Sequence, residues 1–372
     1  MGDQDDDQDD NFYYKGVIYG YDCVHYYYYK NKSVRKPGVM GLKNLNASLC
    51  YMNASIQCLV HLEPFYTSIK SLKIKPKKSL VYEISNFIEE MMNEENKQKS
   101  YSPKNIIIAM GKIDEKYLEN RQRDANEFIS NCIMGIHDET KKPIEKKDIN
   151  TQNSPQDQME KSAYENVINK FYSKNDSFII DDFYGNFIDE VICQNYHHPI
   201  NIKFQPYNMI ELPVINCFKY VKGVHDEKYT VDLYEVLNKF IQPKKSSETK
   251  LKLCPKCKKE VEISRTRKIY SIPNCLILYL NNCVDGYYNN IILKPPKKLD
   301  MSKYMKGANQ SVNFSLVGAI EYWGTGKRGH YIAKCYNFKD DKWYLFDDEY
   351  VDVIKVEDIY CPIILFYEKK TK

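Results

Sequence analysis

The first half of the chain carries apolar residues at helical spacing. In the segment that follows Cys50, the apolar positions are Met52, Ile56, Leu59 and Val60. They make one stripe of a helix, which Pro64 is predicted to end. The segments 80–95 and 124–139 have the same spacing. These patterns predict a helical first half.

The second half has the pattern of short strands. From about residue 179, apolar residues come in strand-sized runs, among them KIYSIPNCLILYL, FSLVGAIEYW and HYIAKCY. The polar segment 141–161 is typical of a loop or an insertion. A helical half followed by antiparallel strands predicts an α+β fold.

Composition and charge exclude several classes of partner. The chain has 372 residues, of which 43% are hydrophobic and 28% charged, as is usual for a globular protein with one large core or two medium ones. The apolar runs are too short to span a membrane, so we expect no membrane partner. The net charge is +4 and its basic residues are scattered among acids, so we expect no nucleic-acid partner.

The N-terminus and the cysteines bear on the compartment. The first residues lack the basic and apolar stretches of a signal peptide. An acidic start followed by a Tyr-rich stretch predicts a partly disordered extension over residues 1–36. Twelve cysteines without a signal peptide indicate reduced thiols and an intracellular protein, in the cytoplasm, the nucleus or both.

Cys50 lies where a loop of small polar residues turns into the first predicted helix. Unpaired N–H groups and the helix dipole favour an anion at that position, and they lower the pKa of a thiol. A buried structural cysteine would fit the same local sequence. The local pattern therefore leaves a nucleophile and a core residue both open.

A second segment offers a base for such a thiol. His330 opens a predicted strand, KDDK makes a turn, and KWYLF runs back to Asp347. A hairpin of this length brings Asp347 close to His330, where its carboxylate is predicted to accept the Nδ1–H and leave Nε2 to the thiol. A surface histidine beside a polar strand end is the alternative.

Taken together, the two segments resemble the ubiquitin-specific protease family of deubiquitinases. GLKNLNASLCYMNASIQ (41–57) is similar to the family's cysteine box, and GHY (329–331) with WYLFDD (343–348) is similar to its histidine box. RQRDANEF (121–128) matches a third family motif. The resemblance covers about residues 37–370.

The resemblance implies a papain-like α+β fold with a helical thumb, a β-sheet palm and β-fingers. The implied catalytic domain spans residues 37–372, with the thumb at about 37–178, the fingers at about 185–275 with palm segments, and the palm continuing to the C-terminus. The implied reaction is hydrolysis of the bond after the terminal Gly-Gly of ubiquitin through a thioester. Ubiquitin and ubiquitinated proteins would be the partners, with no cofactor for catalysis.

The same resemblance assigns catalytic roles. Cys50 is the expected nucleophile, His330 the expected base and later acid, and Asp347 the residue that orients His330. Asp348 is similar to a family position that supports the site. The family's oxyanion asparagine stands five residues before the cysteine, but here the box holds one extra residue, and the GLKN anchor favours Asn44 as the equivalent.

The extra residue leaves the strength of the activity open. An outward bulge would keep the donor in place, whereas a rotated donor would weaken turnover. Asn44 as a merely polar loop residue remains an alternative.

Three further residues are expected to contact substrate. Asp124 and Glu127 correspond to family acids that hold the basic tail of ubiquitin, and Tyr331 would help to wall the Gly-Gly channel. The two acids also have the spacing of a capping box at a helix start. Both roles can coexist, because a cap uses only part of the acceptor capacity of a carboxylate.

The fingers of many relatives hold a structural zinc with two C-x-x-C pairs. The second pair is intact as Cys254 and Cys257, whereas the first keeps Cys193 and has a tyrosine in place of its partner. His197 or His198 could complete a Cys₃His site, and we assign His197 with the three cysteines. Fingers that fold without metal are the alternative.

Three functions are consistent with these features. An active deubiquitinase is favoured by the intact cysteine, histidine and aspartate. A weak or inactive ubiquitin-binding scaffold would keep the fold but have a broken oxyanion loop. A protease for another ubiquitin-like modifier also fits, since related modifiers end in Gly-Gly.

Overall fold

The computed structural model describes residues 36–73, 76–142, 158–172, 176–217, 219–222, 227–245, 251–284, 287–288, 291–306, 311–325 and 328–370. The predicted N-terminal extension, apart from Lys36, lies outside the described residues. Most of the polar segment 141–161 also lies outside them.

The helices of the described residues concentrate in the first half, where the apolar spacing predicts them. They are α1 (Cys50–Val60), α2 (Glu63–Ser71), α3 (Leu80–Met92), α4 (Lys104–Ile113), α5 (Ala125–Thr140), α6 (Gln158–Val167), α7 (Phe178–Phe183) and α8 (Leu233–Phe240). Short 3₁₀ or π turns lie at Leu45–Ala47, Glu115–Leu118, Ile168–Tyr172, Val214–Cys217, Ser302–Tyr304 and Val356–Asp358.

Helix α1 begins at Cys50, as predicted, but Pro64 does not end it. The helix stops at Val60, and Pro64 lies in the first turn of α2. A proline is tolerated there because the first N–H groups of a helix have no partner within the helix. The predicted role of Pro64 is therefore wrong, since this residue lies in the first turn of the second helix and does not end the first.

The strands follow in the second half, with two short exceptions. In chain order they are β1 (Gly41–Leu42), β2 (Ser100–Tyr101), β3 (Gly185–Cys193), β4 (Pro199–Tyr207), β5 (Ile210–Pro213), β6 (Lys219–Lys222), β7 (Glu227–Thr230), β8 (Lys244–Lys245), β9 (Lys252–Cys254), β10 (Lys259–Val261), β11 (Ile263–Ser271), β12 (Cys275–Asn281), β13 (Cys283–Val284), β14 (Tyr287–Tyr288), β15 (Ile291–Ile292), β16 (Lys298–Asp300), β17 (Asn313–Thr325), β18 (Arg328–Asn337), β19 (Lys342–Asp347), β20 (Tyr350–Ile354) and β21 (Pro362–Lys369).

Two sheets organise most of these strands. The palm sheet has the order β20-β19-β18-β17-β21-β12-β5, with β16 alongside β17, and its pairs are antiparallel except β12 with β5. The finger sheet has the order β4-β3-β11-β8, and the hairpin β9–β10 stands apart from it. Antiparallel hairpins of this kind are what the strand-sized runs predict.

The register of the palm sheet positions the histidine segment. Strands β17 and β18 pair Trp323 with His330, and β18 and β19 pair Ala333 with Phe346. Asp347 follows Phe346 at the end of β19 and thus returns to the beginning of β18, where His330 lies. The hairpin geometry predicted from the sequence is therefore observed.

The largest cluster of buried residues lies between the helices and the palm sheet. Helix α1 is buried along its whole length and packs against β18 and α5. A second cluster covers the opposite side of the palm and includes residues of α8. Because close-packed interiors permit little movement, α1 and β18 are held in a fixed relation.

Candidate active site

Cys50 is the first residue of α1 and is fully buried. Its sulfur lies at the helix end where backbone N–H groups are unpaired within the helix, which favours a negative charge. The Cys50 thiol interacts with the His330 ring and is one of the groups that raise the pKa of His330. The two segments singled out in the sequence are therefore brought together by the fold.

Asp347 binds the His330 ring directly. His330 Nε2 lies 2.6 Å from Asp347 Oδ1, so the ring nitrogen is the opposite of the one predicted from the sequence. Nδ1 is thus the nitrogen left for the thiol. Burial opposes the charged ring, but contacts with Asp347 and then Cys50 raise the pKa of His330 to about 11. An imidazolium beside sulfur favours the thiolate.

Asp348 serves a different set of contacts. Its Oδ2 lies 3.9 Å from His330 Nε2, too far for a hydrogen bond. Its carboxylate instead accepts from Asn44 Nδ2 and Asn53 Nδ2, each at 2.7 Å. Burial raises the pKa of Asp348, while the two asparagines and the charge of His330 act against that rise. Asp348 thereby joins the histidine hairpin to α1 and to the loop before it.

The loop before Cys50 accommodates its extra residue on the outside. Asn44 Oδ1 accepts from the backbone N–H of Leu49 at 2.8 Å. Between these residues the chain makes a turn in which Asn46 and Ala47 are exposed and adopt φ values of +62° and +52°. Left-handed residues of this kind reverse the chain sharply. The insertion therefore forms an exposed turn, and the Asn44 side chain stays at the site.

The three residues predicted to contact substrate differ in their exposure and in their partners. Asp124 is exposed, and its Oδ1 lies 3.5 Å from the hydroxyl oxygen of Tyr331, whose side chain is buried. Glu127 is also exposed but binds Lys116 at 2.8 Å. Asp124 is the N-cap of α5 without a side-chain capping bond, so the alternative capping-box interpretation is wrong.

Gln122 is a contact of the site that the sequence reasoning missed. Its Nε2 lies 3.6 Å from Cys50 Sγ and 2.6 Å from the carbonyl oxygen of Gly329. The motif RQRDANEF contains this glutamine beside the two acids, but the sequence does not show which of these side chains reaches the cysteine. Asn53, three residues after the cysteine, was missed in the same way.

A second cluster of chemically reactive side chains lies in the finger region. Cys193 Sγ is 3.6 Å from Cys257 Sγ, and His198 Nε2 is 3.1 Å from Cys254 Sγ. His197, the ligand assigned from the sequence, is exposed in a turn with φ of +53°. The chain direction at that turn brings the next residue to the thiols. The sequence assignment of His197 is corrected to His198.

This cluster matches the donor set of a structural zinc site. Three thiols and one imidazole are the ligands that tetrahedral zinc takes, and ligand atoms of Cys193, His198 and Cys254 all lie within 4.8 Å of one another. Burial opposes ionisation of Cys254, but hydrogen bonds from Cys257 and His198 lower the pKa of the Cys254 thiol. The residues present fit the metal.

Comparison with known proteins identifies a family for most of the chain. The family model described as ubiquitin carboxyl-terminal hydrolase matches residues 40–367. Ubiquitin carboxyl-terminal hydrolase Usp2 of Drosophila melanogaster is 22% identical over 91% of this chain and 36% of its own length. Ubiquitin carboxyl-terminal hydrolase 3 of Mus musculus is 24% identical over 89% of this chain and 68% of its own length. The chain spans 36% to 55% of the length of several such relatives.

Solved structures show the same fold. The SAGA Ubp8/Sgf11/Sus1/Sgf73 DUB module bound to ubiquitin aldehyde matches with a TM-score of 0.70 and 20% identity, over 91% of this chain and 70% of that chain. A related module bound to monoubiquitin matches with a TM-score of 0.69 and 19% identity, over 92% and 73% of the two chains. The predicted α+β, papain-like class is confirmed by this likeness.

Among the described residues, no helix combines the length and the apolar character that a membrane span needs.

Proposed function

Because this chain belongs to the ubiquitin carboxyl-terminal hydrolase family, we propose that it hydrolyses the isopeptide or peptide bond after the terminal Gly-Gly of ubiquitin, with Cys50 as nucleophile. The observation that carries the proposal is the buried Cys50 thiol, which interacts with the His330 ring, together with the 2.6 Å distance from His330 Nε2 to Asp347 Oδ1. A nucleophile, its base and a group that orients the base make up the machinery of acyl transfer to sulfur.

The proposed reaction has two steps. The Cys50 thiolate attacks the carbonyl carbon of the terminal glycine, and the His330 imidazolium gives its proton to the departing amine. The resulting thioester is then attacked by water, whose proton returns to His330 as the carboxylate of ubiquitin is released. Asp347 holds the ring in place and stabilises its charged form through both steps.

The loop before Cys50 supplies the proposed oxyanion site. Asn44 donates one N–H of its amide to Asp348, which leaves its second N–H for the oxygen that becomes negative. The backbone N–H of Cys50 is a second donor of the kind that helix N-termini offer. The exposed turn at Asn46 and Ala47 keeps this arrangement compatible with turnover and favours an enzyme over an inactive scaffold.

Asp124 and Tyr331 are proposed to guide the tail of ubiquitin. The exposed carboxylate of Asp124 faces the Tyr331 hydroxyl. A carboxylate at this place would hold the basic residues before Gly-Gly through charge-assisted hydrogen bonds. Glu127 is proposed to attract the same basic residues from a greater distance. Its ion pair with Lys116 uses only part of the acceptor capacity of its carboxylate.

We also propose that the fingers hold a structural zinc. Cys193, Cys254, Cys257 and His198 would bind it, and the metal would stabilise the fold of the finger tip rather than take part in hydrolysis. The proposed division of the catalytic domain keeps the thumb at about 37–178, the fingers at about 185–275 and the palm to the C-terminus.

A ubiquitin derivative with a fluorogenic amide at its C-terminus tests the proposed activity. The full chain is expected to release the fluorophore, and Cys50→Ala and His330→Ala are expected to abolish release while binding of ubiquitin persists. A ubiquitin probe with a C-terminal electrophile should form an adduct with the full chain and none with Cys50→Ala. Tight binding of ubiquitin by the full chain with neither release nor adduct would make it a scaffold.

Reaction with another ubiquitin-like modifier in place of ubiquitin would move the proposal to that substrate.

A further inference from the structure

Gln122 bridges the two walls of the proposed cleft. It lies in the loop that leads into α5, whereas Gly329 and His330 lie on β18 of the palm sheet. Its amide forms two contacts with the backbone of one residue: Nε2 donates to Gly329 O at 2.6 Å, and Gly329 N donates to Oε1 at 3.4 Å. Gln122 is an exposed residue. The bridge therefore links the helical part to the residue immediately before the base.

The two contacts fix which end of the amide faces the sulfur. A backbone N–H can only donate and a carbonyl oxygen can only accept, so Oε1 must face Gly329 N and Nε2 must face Gly329 O. The amide cannot flip without losing both bonds. Its Nε2 group also lies 3.6 Å from Cys50 Sγ. The backbone of β18 thus presets an N–H group against the nucleophile.

An N–H group in that position distinguishes thiolate from thiol. A hydrogen bond to the charged form of a group favours that form, and charge-assisted bonds are stronger than neutral ones. The sulfur then has the His330 ring and the Gln122 amide as polar neighbours. A side chain that only covered the sulfur would not need this orientation.

We propose that Gln122 is a further catalytic residue, which donates a hydrogen bond to the Cys50 thiolate and holds the peptide before His330 in register with it. The inference rests on the proposed thiol chemistry at Cys50. The cost of the bond is a thiolate of slightly lower intrinsic reactivity, because nucleophilicity falls as thiol acidity rises. Gln122 should therefore matter most below the midpoint of thiol ionisation.

The pH dependence of Cys50 alkylation by iodoacetamide tests this role without ubiquitin. Gln122→Leu removes the donor at similar size, and Gln122→Glu replaces it with an acceptor and a negative charge. We expect the midpoint of the rate profile to move up by about one pH unit in Gln122→Leu and further in Gln122→Glu, with a loss of about tenfold below the midpoint. The plateau at high pH should stay the same or rise.

Arg121→Gln is the matched control. Arg121 is the adjacent residue of the same loop, and its side chain is 79% exposed. The Arg121→Gln variant should leave the midpoint and the plateau of the alkylation rate profile unchanged. An unchanged midpoint in both Gln122 variants would overturn the proposal. Faster alkylation at every pH would also overturn it, because Gln122 would then be a cover over the sulfur.

The same variants separate this inference from the proposed function. In the ubiquitin hydrolysis assay, kcat of Gln122→Leu should fall most at low pH and recover as pH rises. A full chain that fails to cleave ubiquitin but shows the shifted alkylation midpoint would refute the deubiquitinase proposal and leave the role of Gln122 intact. A full chain that cleaves ubiquitin, with Gln122 variants whose alkylation midpoint does not move, would support the deubiquitinase proposal and refute the role of Gln122.

Discussion

At the scale of single residues, two adjacent aspartates have divided tasks. Asp347 lies 2.6 Å from the His330 ring, whereas Asp348 holds Asn44 and Asn53 and stays 3.9 Å from that ring. From the sequence the two acids look interchangeable, because both follow Phe346 and both carry a carboxylate. Their surroundings make them different.

The exchange of each carboxylate for an amide should separate these tasks. Asp347→Asn should lower kcat by on the order of 100-fold, because the imidazolium form of His330 loses its stabilising carboxylate. Thermal stability should change little, because the contacts of Asp348 with the two asparagines remain. Asp348→Asn should lower the melting temperature, because an amide N–H₂ then faces one of the two asparagine N–H₂ groups. The kinetics of both variants with the ubiquitin reporter, and their thermal unfolding, measure the two effects. An equal loss of kcat in both variants, with equal melting temperatures, would contradict the division of tasks between Asp347 and Asp348.

The residues of the proposed site could be predicted from sequence to different extents. Cys50, His330 and Asp347 were reached from helix position, hairpin length and family resemblance, since each depends on local spacing. The ring nitrogen was predicted wrongly, because spacing does not decide how an imidazole is rotated. Gln122 was missed because its contact with Cys50 depends on the packing of α5 against α1.

At the scale of elements, the turn between β3 and β4 decides which histidine joins Cys193, Cys254 and Cys257 in the finger region. Cys193 ends β3, and the turn that follows exposes His197 before His198 enters the cluster beside β4. The sequence does not distinguish between two adjacent histidines as ligands, because the conformation of the turn decides which of the two side chains points toward the thiols. The strands themselves were predictable, since their apolar runs are long enough to mark them.

The adjacent histidines provide a matched pair for testing zinc. Protein purified with zinc should hold about one metal ion per chain, and His198→Ala should lower its affinity strongly while His197→Ala leaves it unchanged. Metal analysis after dialysis against a chelator of graded strength measures the difference. Removal of the metal should also increase proteolysis within β9 and β10. Equal metal retention by the two variants would contradict the assignment of His198.

At the scale of the whole molecule, the palm sheet contains a buried ion pair. Lys334 Nζ lies 2.7 Å from Glu321 Oε2, and both residues are almost completely buried on neighbouring strands β18 and β17. Glu321 Oε1 also accepts from the backbone N–H groups of Tyr360 and Cys361, which tie the start of β21 to the sheet. The pair therefore lies where three strands of the palm meet.

Removal of one partner of this pair should destabilise the fold. Glu321→Gln keeps the acceptor for the backbone but leaves the Lys334 charge without its counterion, at a cost of about 3–5 kcal/mol in the free energy of unfolding. The double variant Glu321→Gln with Lys334→Met should recover much of that loss, because no buried charge remains. Urea unfolding of both variants checks this. A single variant as stable as the parent chain would show that the pair contributes little.

Glu368 should make the stability of the whole molecule depend on pH. It lies near the end of β21 and accepts from the backbone N–H of Glu63 at the start of α2, so it joins the palm to the helical part. Burial raises the pKa of Glu368 from its usual 4.5 to about 7, although the bond from Glu63 acts against the rise. Between these two values the folded chain binds more protons than the unfolded chain. Its stability must therefore fall as pH rises through that window.

Glu368→Gln should remove this dependence while keeping an acceptor for Glu63. The variant is expected to match the parent chain near about pH 4.5 and to exceed it by up to about 3 kcal/mol above about pH 7. Glu357→Gln is the matched control, since Glu357 pairs with Lys297 at an exposed position, where such pairs contribute little. Urea unfolding across this range measures all three chains. A parent chain whose stability does not fall through the window, or a Glu368→Gln variant that falls equally, would show that the carboxylate is solvated in the folded state and that the junction of α2 with β21 is open to water.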